Sequence, residues 1–340
     1  YLSYSSMGSS EWFEQALKSC GLPADTRPVL RDLRHVGNAA FPGGCRVDLF
    51  GAHAQGLATA RSDVDVRISR TGLDPRTVLE TLHTQLRERA VDELIVVETR
   101  YAARVPLLVL DHSSGLQVDL SAGDAPEPCD SLINEILSTD KTGACRRLVL
   151  FVKWWAKLQG VNDSKNGYLS SMCWSTLAIA FLQGIGSLGA HKAVPSCAPP
   201  SPESFASTFF KWALDTVRGT RISILTGRRT VDKVLVLVNP AHEAAESVHP
   251  GNMAAAFRRG SATSIVLSVL GRAASVAATP ERLCEPGMVN RSGLEVKKVA
   301  VEDAATVEKR EKVMQRLQTR LSGEEPKRKR PKVQVILDGS

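Results

Sequence analysis

The chain has 340 residues, an apolar fraction of 43% and a formal net charge of +7. That length exceeds one ordinary hydrophobic core and predicts two domains, and the positive charge favours a polyanionic partner. No apolar run reaches the roughly 20 residues of a membrane-spanning helix. The seven cysteines include no CxxC pair, which favours reduced thiols inside the cell.

As far as about residue 140, the chain has the pattern of a strand-rich α/β unit. Alternating apolar residues predict strands, and apolar residues three or four apart predict helices. The predicted elements are a helix over 11–20, strands over 46–50 and 64–68, a helix from Asp74-Pro75, a strand over 94–97, and a hairpin of strands over 105–111 and 116–121.

The rest of the chain has a mainly helical pattern. The predicted elements are helices over 145–158, 170–182, 204–217 and 261–271, a loop over 184–204, and a buried strand over 234–238. A charged helix is predicted over 302–321, before a basic run over 327–332. Three interpretations of this run stay open, because it could grip phosphates, serve as a nuclear address or be a solvated charged segment.

Two acidic residues follow a glycine-bearing turn in the first half of the chain. The turn is Phe50-Gly51-Ala52 with Gly56, and the acids lie in Ser62-Asp63-Val64-Asp65. In a strand, side chains at i and i+2 leave the same face, so Asp63 and Asp65 point together, about 7 Å apart. Two carboxylates at that distance repel unless a cation lies between them. The pattern predicts a divalent metal with a nucleotide phosphate beside it.

A third acid is supplied by the hairpin, where Asp119 faces away from the apolar side of its strand. If this strand lies near Asp63 and Asp65, three carboxylates converge. Two could then hold metals while the third takes a proton from an attacking hydroxyl. The alternative is three acids on the solvated face of a sheet. The turn and the Asp63/Asp65 pair favour the metal site.

Three further segments could bind phosphate. The turn from Gly51 to Gly56 would let backbone amides approach a phosphate closely. Lys153 and Lys157, one helical turn apart, could hold a triphosphate between them, although a solvated helix face is the usual explanation of such a pair. Ser170 and Ser171 open the next helix, where a serine caps the helix and a phosphate is also favoured. His53, in the turn, is expected to be exposed and without a role.

These residues together resemble the DNA polymerase β-type nucleotidyltransferase superfamily, and more narrowly its terminal uridylyltransferases and non-canonical poly(A) polymerases. The resemblance covers about residues 46–240. The motif of a strand, Phe-Gly-Ser, Gly and Ser-Asp-x-Asp is matched at Phe50, Gly51, Gly56, Ser62, Asp63 and Asp65. The later motifs are matched at Arg104-Val105-Pro106, Asp119, Phe151-Val152-Lys153, Trp155-Ala156-Lys157, Gly167, Leu169, Ser170 and Ser171.

Four positions depart from the family pattern. Ala52 replaces a phosphate-binding serine, and Met172 stands where the family has an aromatic platform for the base. Asp130, beside Ser131, stands where the family's asparagine contacts the ribose. The segment that reads uracil in the uridylyl members, Asp-Pro-Phe-Glu, is replaced by one running from Asn239 to His242. The departures put the choice of nucleotide in doubt far more than the fold.

The resemblance implies a nucleotidyltransferase palm domain with a mixed sheet (α/β), packed against a mainly helical second domain, with the active site in the cleft between them. The expected organisation is an N-terminal helix on the helical domain (1–32), the palm (33–140), the nucleotide-binding helical domain (141–290), and a charged helix with a basic tail (291–340). The resemblance also implies that nucleotide-binding residues include Gly51, Ala52, Ser62, Asp130, Ser131, Lys153, Lys157, Ser170, Ser171, Met172, Asn239 and His242.

The implied function is template-independent transfer of UMP from UTP to an RNA 3′-hydroxyl, with Mg²⁺ or Mn²⁺ held by Asp63, Asp65 and Asp119. ATP is the second candidate substrate. The alternative is a catalytically degenerate subunit with a structural role in a larger RNA–protein complex. It is favoured by Ala52, Met172, Asn239 and His242 and opposed by the retained acids. RNA and a nucleoside triphosphate are the expected partners, and no membrane is expected. Tyr1 is not an initiator Met, so targeting is not readable here, and the mitochondrion is expected ahead of the nucleus or cytosol.

Overall fold

The computed structural model describes residues 10–60, 62–88, 93–103, 105–123, 129–246, 251–257 and 261–285. The charged helix predicted over 302–321, the basic run over 327–332 and Arg104 all lie outside these ranges. All of the described residues belong to one compact unit that spans Tyr1–Val296. None of the described helices combines the length and the apolar character that crossing a membrane requires.

The first part of the chain forms a mixed sheet with helices. Its elements are α1 (Glu11–Cys20), α2 (Arg27–Ala40), β1 (Arg46–Leu49), α3 (Gly51–Ala54), β2 (Val64–Ser69), α4 (Pro75–Glu88), β3 (Leu94–Arg100), β4 (Leu107–His112) and β5 (Gln117–Ala122). The described strands are ordered β1-β2-β5-β4-β3. The β2–β5 pair is parallel and the other neighbouring pairs are antiparallel, which confirms the expected mixed sheet.

One face of this sheet is buried under α2 and α4. Along β2, Val64, Val66 and Ile68 are fully buried, and they share a hydrophobic core with Leu33 of α2 and Leu79 of α4. Because side chains alternate across a strand, the residues between them leave the opposite face. The acids of β2 and β5 therefore lie on the face that α2 and α4 do not cover.

The second part of the chain is mainly helical. Its elements are α5 (Cys129–Leu137), α6 (Ala144–Leu158), α7 (Ser171–Gly184), α8 (Pro202–Thr216), β6 (Thr220–Ser223), β7 (Arg228–Val231), β8 (Val236–Leu237), α9 (Pro240–Ala244) and α10 (Ser261–Val276), with short 3₁₀ turns at Ser164–Asn166 and Pro280–Cys284. The small sheet has the order β7-β6-β8, with β6 antiparallel to β7 and parallel to β8.

A second hydrophobic core, rich in aromatic residues, lies among these helices. Trp155 of α6 contacts Trp174 of α7 edge to face, with ring centroids 5.7 Å apart, and contacts Phe210 of α8 at 4.5 Å. Trp12 of α1 joins the same core. Leu57, from the glycine-bearing turn, is also fully buried in it. The turn is therefore anchored to the helical part of the molecule.

The structure contains elements that the sequence analysis did not predict, namely α2, α3, α5, α9 and the β6–β7 hairpin. For α2 a signal was present, since Val29, Leu33 and Val36 have helical spacing and Pro28 lies in the first turn. The helix also spans the expected boundary between 32 and 33. The strand predicted over 234–238 is limited to Val236–Leu237.

Asp140 binds a backbone N–H in the first turn of α6 from three residues before the Gly143 N-cap, and it offers a test of stability. Its carboxylate accepts hydrogen bonds from the Cys145 N–H at 2.8 Å and from the Thr142 hydroxyl at 2.6 Å. Burial alone would raise the pKa of Asp140, but these hydrogen bonds outweigh burial, and the pKa lies below its ordinary value. We expect Asp140→Ala to reduce the free energy of unfolding by about 1–2 kcal/mol at pH 7, measured by urea denaturation.

The pH dependence gives this prediction its sign. Because folding lowers the pKa of Asp140, its contribution is present above the ordinary pKa of an aspartate and is lost as the pH falls through the folded value. The difference in free energy of unfolding between Asp140→Ala and the unmodified protein should therefore become smaller as the pH falls. The control is Asp25→Ala, which removes a fully exposed aspartate bonded to the N–H of Arg27. An equal loss of free energy of unfolding in both variants would contradict a stabilising role for the bond between Asp140 and the Cys145 N–H.

Candidate active site

Two of the three predicted acids lie side by side in the palm sheet. Asp65 of β2 is the register partner of Asp119 of β5, and neighbouring strands run about 4.8 Å apart. Asp63 directly precedes β2 and is exposed. The parallel pairing of β2 with β5 thus joins acids that are 54 positions apart in the chain.

The acids are electrostatically unfavourable as they stand. Burial, together with the negative charges of Asp119, Asp63 and Asp130, raises the pKa of Asp65 to about 7, although Lys153 opposes the rise. The pKa of Asp119 is also raised, first by burial and then by Asp63. A cation among these carboxylates would favour their charged forms.

The donor set fits a hard divalent cation, because carboxylate oxygens are the ligands that Mg²⁺ and Mn²⁺ prefer. Within the described residues, no three His, Cys, Asp or Glu side chains are already arranged to hold a metal ion. The acids therefore form an open cluster, whose side chains would have to close around a cation.

Asp130 and Gln55 lock the glycine-bearing turn in place. One oxygen of Asp130 accepts the Gly51 N–H at 2.7 Å, and the other accepts the Gln55 amide at 2.6 Å. The same Gln55 nitrogen lies 3.6 Å from the sulfur of Met172. Gln55 thus links two predicted site residues, Asp130 and Met172. It was not predicted itself, since nothing in the sequence distinguishes it from any other polar turn residue. The Gly51 N–H, expected to face a phosphate, is bonded to Asp130.

Gly51 is required by both its backbone and its surroundings. Its φ is +64°, and a Cβ placed there would lie 2.5 Å from Oδ2 of Asp65. We expect Gly51→Ala to destabilise the fold and to displace Asp65. The control is Gly72→Ala, where φ is +83° but nothing lies within 4 Å of the added Cβ.

In the control, the free energy of unfolding should fall only by the cost of a left-handed conformation, about 1–2 kcal/mol. In Gly51→Ala, the free energy of unfolding measured by urea denaturation should fall by more than this. The same substitution should also weaken binding of a fluorescent nucleoside triphosphate. Equal effects of the two substitutions on both measurements would exclude a special role for the Gly51–Asp65 contact.

The two predicted lysines of α6 have different environments. Lys153 is largely buried, and its ammonium donates a hydrogen bond to the Leu57 carbonyl at 2.7 Å. Burial, together with the positive charge of Lys157, lowers the pKa of Lys153 to about 8, while Asp65 opposes the fall. Lys157 is exposed one turn further along the helix. Lys153 is therefore not part of a solvated helix face, and it ties α6 to the turn.

The expectation that His53 is exposed is wrong. His53 is half-buried, and its Nε2 is buried without a hydrogen-bond partner among the described residues. Burial lowers the pKa of this histidine, Lys153 adds to the effect, and a hydrogen bond with the backbone of Ser62 opposes it. The Ser62 hydroxyl accepts the Thr59 N–H at 2.9 Å. Ala52 lies in α3 beside His53.

The start of α7 holds the predicted serines. Ser170 caps the helix, with its hydroxyl accepting the Cys173 N–H at 3.3 Å. The Ser171 hydroxyl accepts a hydrogen bond from the Asn162 amide at 2.7 Å, which leaves its own O–H able to donate. Met172 is partly buried against the helical core. The predicted cap is present, and Ser171 is the better placed of the two to donate.

The remaining predicted residues stabilise their own segments. The Asn239 side chain caps α9 through the Ala241 N–H at 2.9 Å. The ring of His242 accepts the Gly251 N–H at 3.2 Å, so His242 joins α9 to the segment that begins at Gly251. Ser131 is exposed on α5, the helix against which α9 packs.

Cations lie close to the acids without having been predicted. Arg100 and Lys165 oppose the raised pKa of Asp119, and Arg100 is itself paired with Glu98 at 2.6 Å. Arg67 lies two residues beyond Asp65 on the same face of β2, 5.0 Å above the centre of the Phe50 ring. The alternation of β2 could have indicated Arg67, whereas the other two depend on the tertiary fold.

The mixed sheet and its helices have the fold of the nucleotidyltransferase palm class. Residues 22–125 match the family model described as poly(A) RNA polymerase, mitochondrial-like, central palm domain. This match confirms the resemblance inferred from the motifs.

Relatives and solved structures agree with this class. The chain is 27% identical over 170 residues to poly(A) RNA polymerase GLD2 of Xenopus tropicalis, a match that covers 48% of this chain and 31% of GLD2. It therefore spans about a third of that relative. The structure of Cid1, an RNA terminal uridylyl transferase, has a TM-score of 0.66 at 16% identity, and the match covers 82% of this chain and 98% of Cid1. The structure of mtPAP with UTP has a TM-score of 0.64 at 16% identity, and the match covers 83% of this chain and 71% of the mtPAP chain.

Proposed function

We propose that this protein is a template-independent RNA nucleotidyltransferase that adds a nucleotide to an RNA 3′-hydroxyl. The observation that carries the proposal is the alignment of Asp65 with Asp119, both with a raised pKa and with Asp63 beside them. Such a cluster is unfavourable for folding unless a cation joins it. Its retention is therefore best explained by catalysis.

In the proposed reaction, Asp63, Asp65 and Asp119 would hold Mg²⁺ or Mn²⁺. A bound metal would supply neutralisation of phosphate charge and a lower pKa for the attacking hydroxyl. The chain's own part is positioning and electrostatic stabilisation. Lys153 and Lys157 supply positive charge for the pyrophosphate that leaves, and Ser171 can donate a hydrogen bond to it. Asp130 and Gln55 keep the turn against β2.

We propose UTP as the first substrate and ATP as the second. Gly51, Ala52, Ser62, Ser170, Met172, Asn239, His242 and Ser131 stay in the proposed nucleotide-binding set. Because both oxygens of Asp130 accept hydrogen bonds from Gly51 and Gln55, its proposed contact with the ribose would have to share these oxygens. Selection of ribonucleotides over deoxyribonucleotides should consequently be modest.

The proposal extends to organisation and location. The palm would cover 33–140 and the nucleotide-binding helical domain 141–290, with the site in the cleft between them. A mitochondrial location is supported by the description of the matching family, which is mitochondrial-like. RNA is the proposed partner, within a larger RNA–protein complex.

The deciding experiment is primer extension on single-stranded RNA. The purified protein is given Mg²⁺ or Mn²⁺ and each of the four nucleoside triphosphates separately. Extension that is strongest with UTP would support the full proposal, and extension with ATP would reassign the nucleotide. Asp25→Asn, at an exposed aspartate just before α2, is the matched control and should extend RNA like the unmodified protein.

A second candidate function is a structural subunit that has lost catalysis. It is favoured by the absence, within the described residues, of three acidic, histidine or cysteine side chains already arranged to hold a metal. A folded sample that extends no RNA with any nucleotide or metal would support this candidate over the enzyme.

A further inference from the structure

A basic and aromatic surface lies on the helical part of the protein, away from the acid cluster. Residues 211–233 contain six basic and two acidic residues, so this short stretch supplies more than half of the net charge of +7. The stretch runs from the end of α8 through the β6–β7 hairpin. Its charge is independent of the basic run over 327–332.

The hairpin presents its arginines to solvent beside a tryptophan. In the register of β6 with β7, Arg229 is the partner of Ile222 and Arg228 the partner of Ser223. The Arg229 guanidinium lies over the Trp212 ring, 5.4 Å from its centre. Both arginines are exposed. Among the described residues, no carboxylate lies within ion-pair distance of either one.

A small groove, with a cavity volume of about 60 Å³, lies between this hairpin and the C-terminal end of α7. Its walls include Trp212, Arg228, Arg229, Ala180 and Gln183. The Gln183 amide nitrogen donates to the Ile224 carbonyl at 2.8 Å and to the Gly189 carbonyl at 3.0 Å. These two bonds fix the orientation of the amide, so its oxygen is an acceptor held in place at the groove.

We propose that this groove binds a single-stranded RNA segment that lies upstream of the 3′ end. Arg228 and Arg229 would contact phosphates, and a base would stack on the Arg229–Trp212 pair, as bases do on guanidinium and aromatic planes. Exposed arginines with no carboxylate beside them favour a polyanionic partner. They do not favour the alternative partner, a protein that would add a strand to the exposed β7 edge.

The position of the groove suits the acceptor strand of the proposed function, on which this part of the inference rests. The helix α7 begins at Ser171, in the candidate site, and ends at Gly184, in the groove wall. At about 1.5 Å per residue, the two ends are roughly 20 Å apart. An RNA of several nucleotides can therefore reach from the groove to the acids, whereas a very short one cannot.

The test measures RNA binding by fluorescence anisotropy with the full chain, in chelator and without nucleotide. Two labelled single-stranded RNAs are compared, one of about 2 nucleotides, too short to reach from the groove to the acids, and one of about 18. We expect the double substitution Arg228→Gln and Arg229→Gln to raise the Kd of the longer RNA about tenfold and to reduce its salt dependence by about 1.4 in log–log slope. The Kd of the short RNA should change much less.

The matched control removes the same charge from the palm, with Arg34→Gln and Arg87→Gln, at two exposed arginines of α2 and α4. It should leave the Kd of the longer RNA within about twofold of the unmodified value. Trp212→Ala should weaken binding and Trp212→Phe should largely restore it, which separates stacking from charge. An unchanged Kd and salt slope in the hairpin double variant would overturn the inference.

The outcomes distinguish this inference from the proposed function. If the unmodified protein extends no RNA but the hairpin double variant loses RNA binding, the RNA-binding groove is supported and the proposed enzymatic function is rejected. If the hairpin double variant extends RNA and binds the longer RNA as tightly as the unmodified protein, the enzymatic function is supported and the RNA-binding groove is rejected.

Discussion

Replacing Asp119 with asparagine should reduce RNA extension by at least about 10³-fold while leaving the protein folded. Asp119 lies beside Asp65 in the parallel β2–β5 pair, so its carboxylate would share the cations with Asp65. Asparagine keeps the shape of the side chain and removes its charge. The measurement is single-turnover primer extension at saturating nucleotide, with circular dichroism as the check on folding.

Binding of the longer RNA provides a second readout for Asp119→Asn. It should match that of the unmodified protein, because Asp119 lies outside the proposed RNA groove. A folded Asp119→Asn protein that retained unmodified extension would refute the metal assignment, whatever its affinity for RNA.

Replacing Asp65 with asparagine should stabilise the protein in the absence of divalent cations. Folding raises the pKa of Asp65 to about 7, because the buried carboxylate lies among Asp119, Asp63 and Asp130. A pKa unit corresponds to about 1.4 kcal/mol, so the ionised carboxylate costs about 4 kcal/mol at most. A neutral asparagine side chain carries no such cost, and the gain should appear in chemical denaturation of Asp65→Asn at pH 8 with chelator.

The sign of the pH dependence follows from linkage. A carboxyl whose pKa is raised by folding costs nothing below its unfolded pKa, near pH 4, and its cost grows until the pH passes the folded value near 7. The advantage of Asp65→Asn should therefore be largest at pH 8 and vanish near pH 4. Because the acids titrate together, Asp119→Asn should show part of the same gain.

Added Mg²⁺ separates this prediction from a generic effect of the substitution. A cation that binds only the folded state stabilises it by mass action, so Mg²⁺ should raise the stability of the unmodified protein. The same addition should have little effect on Asp65→Asn. If Asp65→Asn were less stable than the unmodified protein at pH 8 in chelator, the electrostatic account of the cluster would be wrong.

Helices and strands with strong apolar periodicity were predictable from the sequence. The helix α1 begins and ends where it was expected, and α6, α7 and α8 differ from the prediction by at most two residues at either end. These elements bury continuous apolar faces, so local pattern and final environment agree. The short α9 and the β6–β7 hairpin were missed because they carry few apolar residues, and β7 is exposed along its whole length.

The candidate site was predictable where the residues lie within one element. The spacing of Asp63 and Asp65, the cap at Ser170 and the pair of lysines in α6 could all be read locally. Gln55 could not, since its importance comes from reaching both Asp130 and Met172 across the turn. His53 was misjudged because a polar residue in a turn is usually solvated, whereas this turn is held against α6 by Leu57 and Lys153.

An α/β unit followed by helices could be predicted from local pattern alone, and so could the acids and lysines that would serve a nucleotide. These predictions depend on the period of apolar residues and on spacings of a few positions. The parallel pairing of β5 with β2, which brings Asp119 beside Asp65, became visible only in the folded chain. The tertiary structure also decided that both oxygens of Asp130 are bonded and that Arg229 covers Trp212. Contacts between distant segments depend on how whole elements pack, and no local pattern of residues encodes that packing.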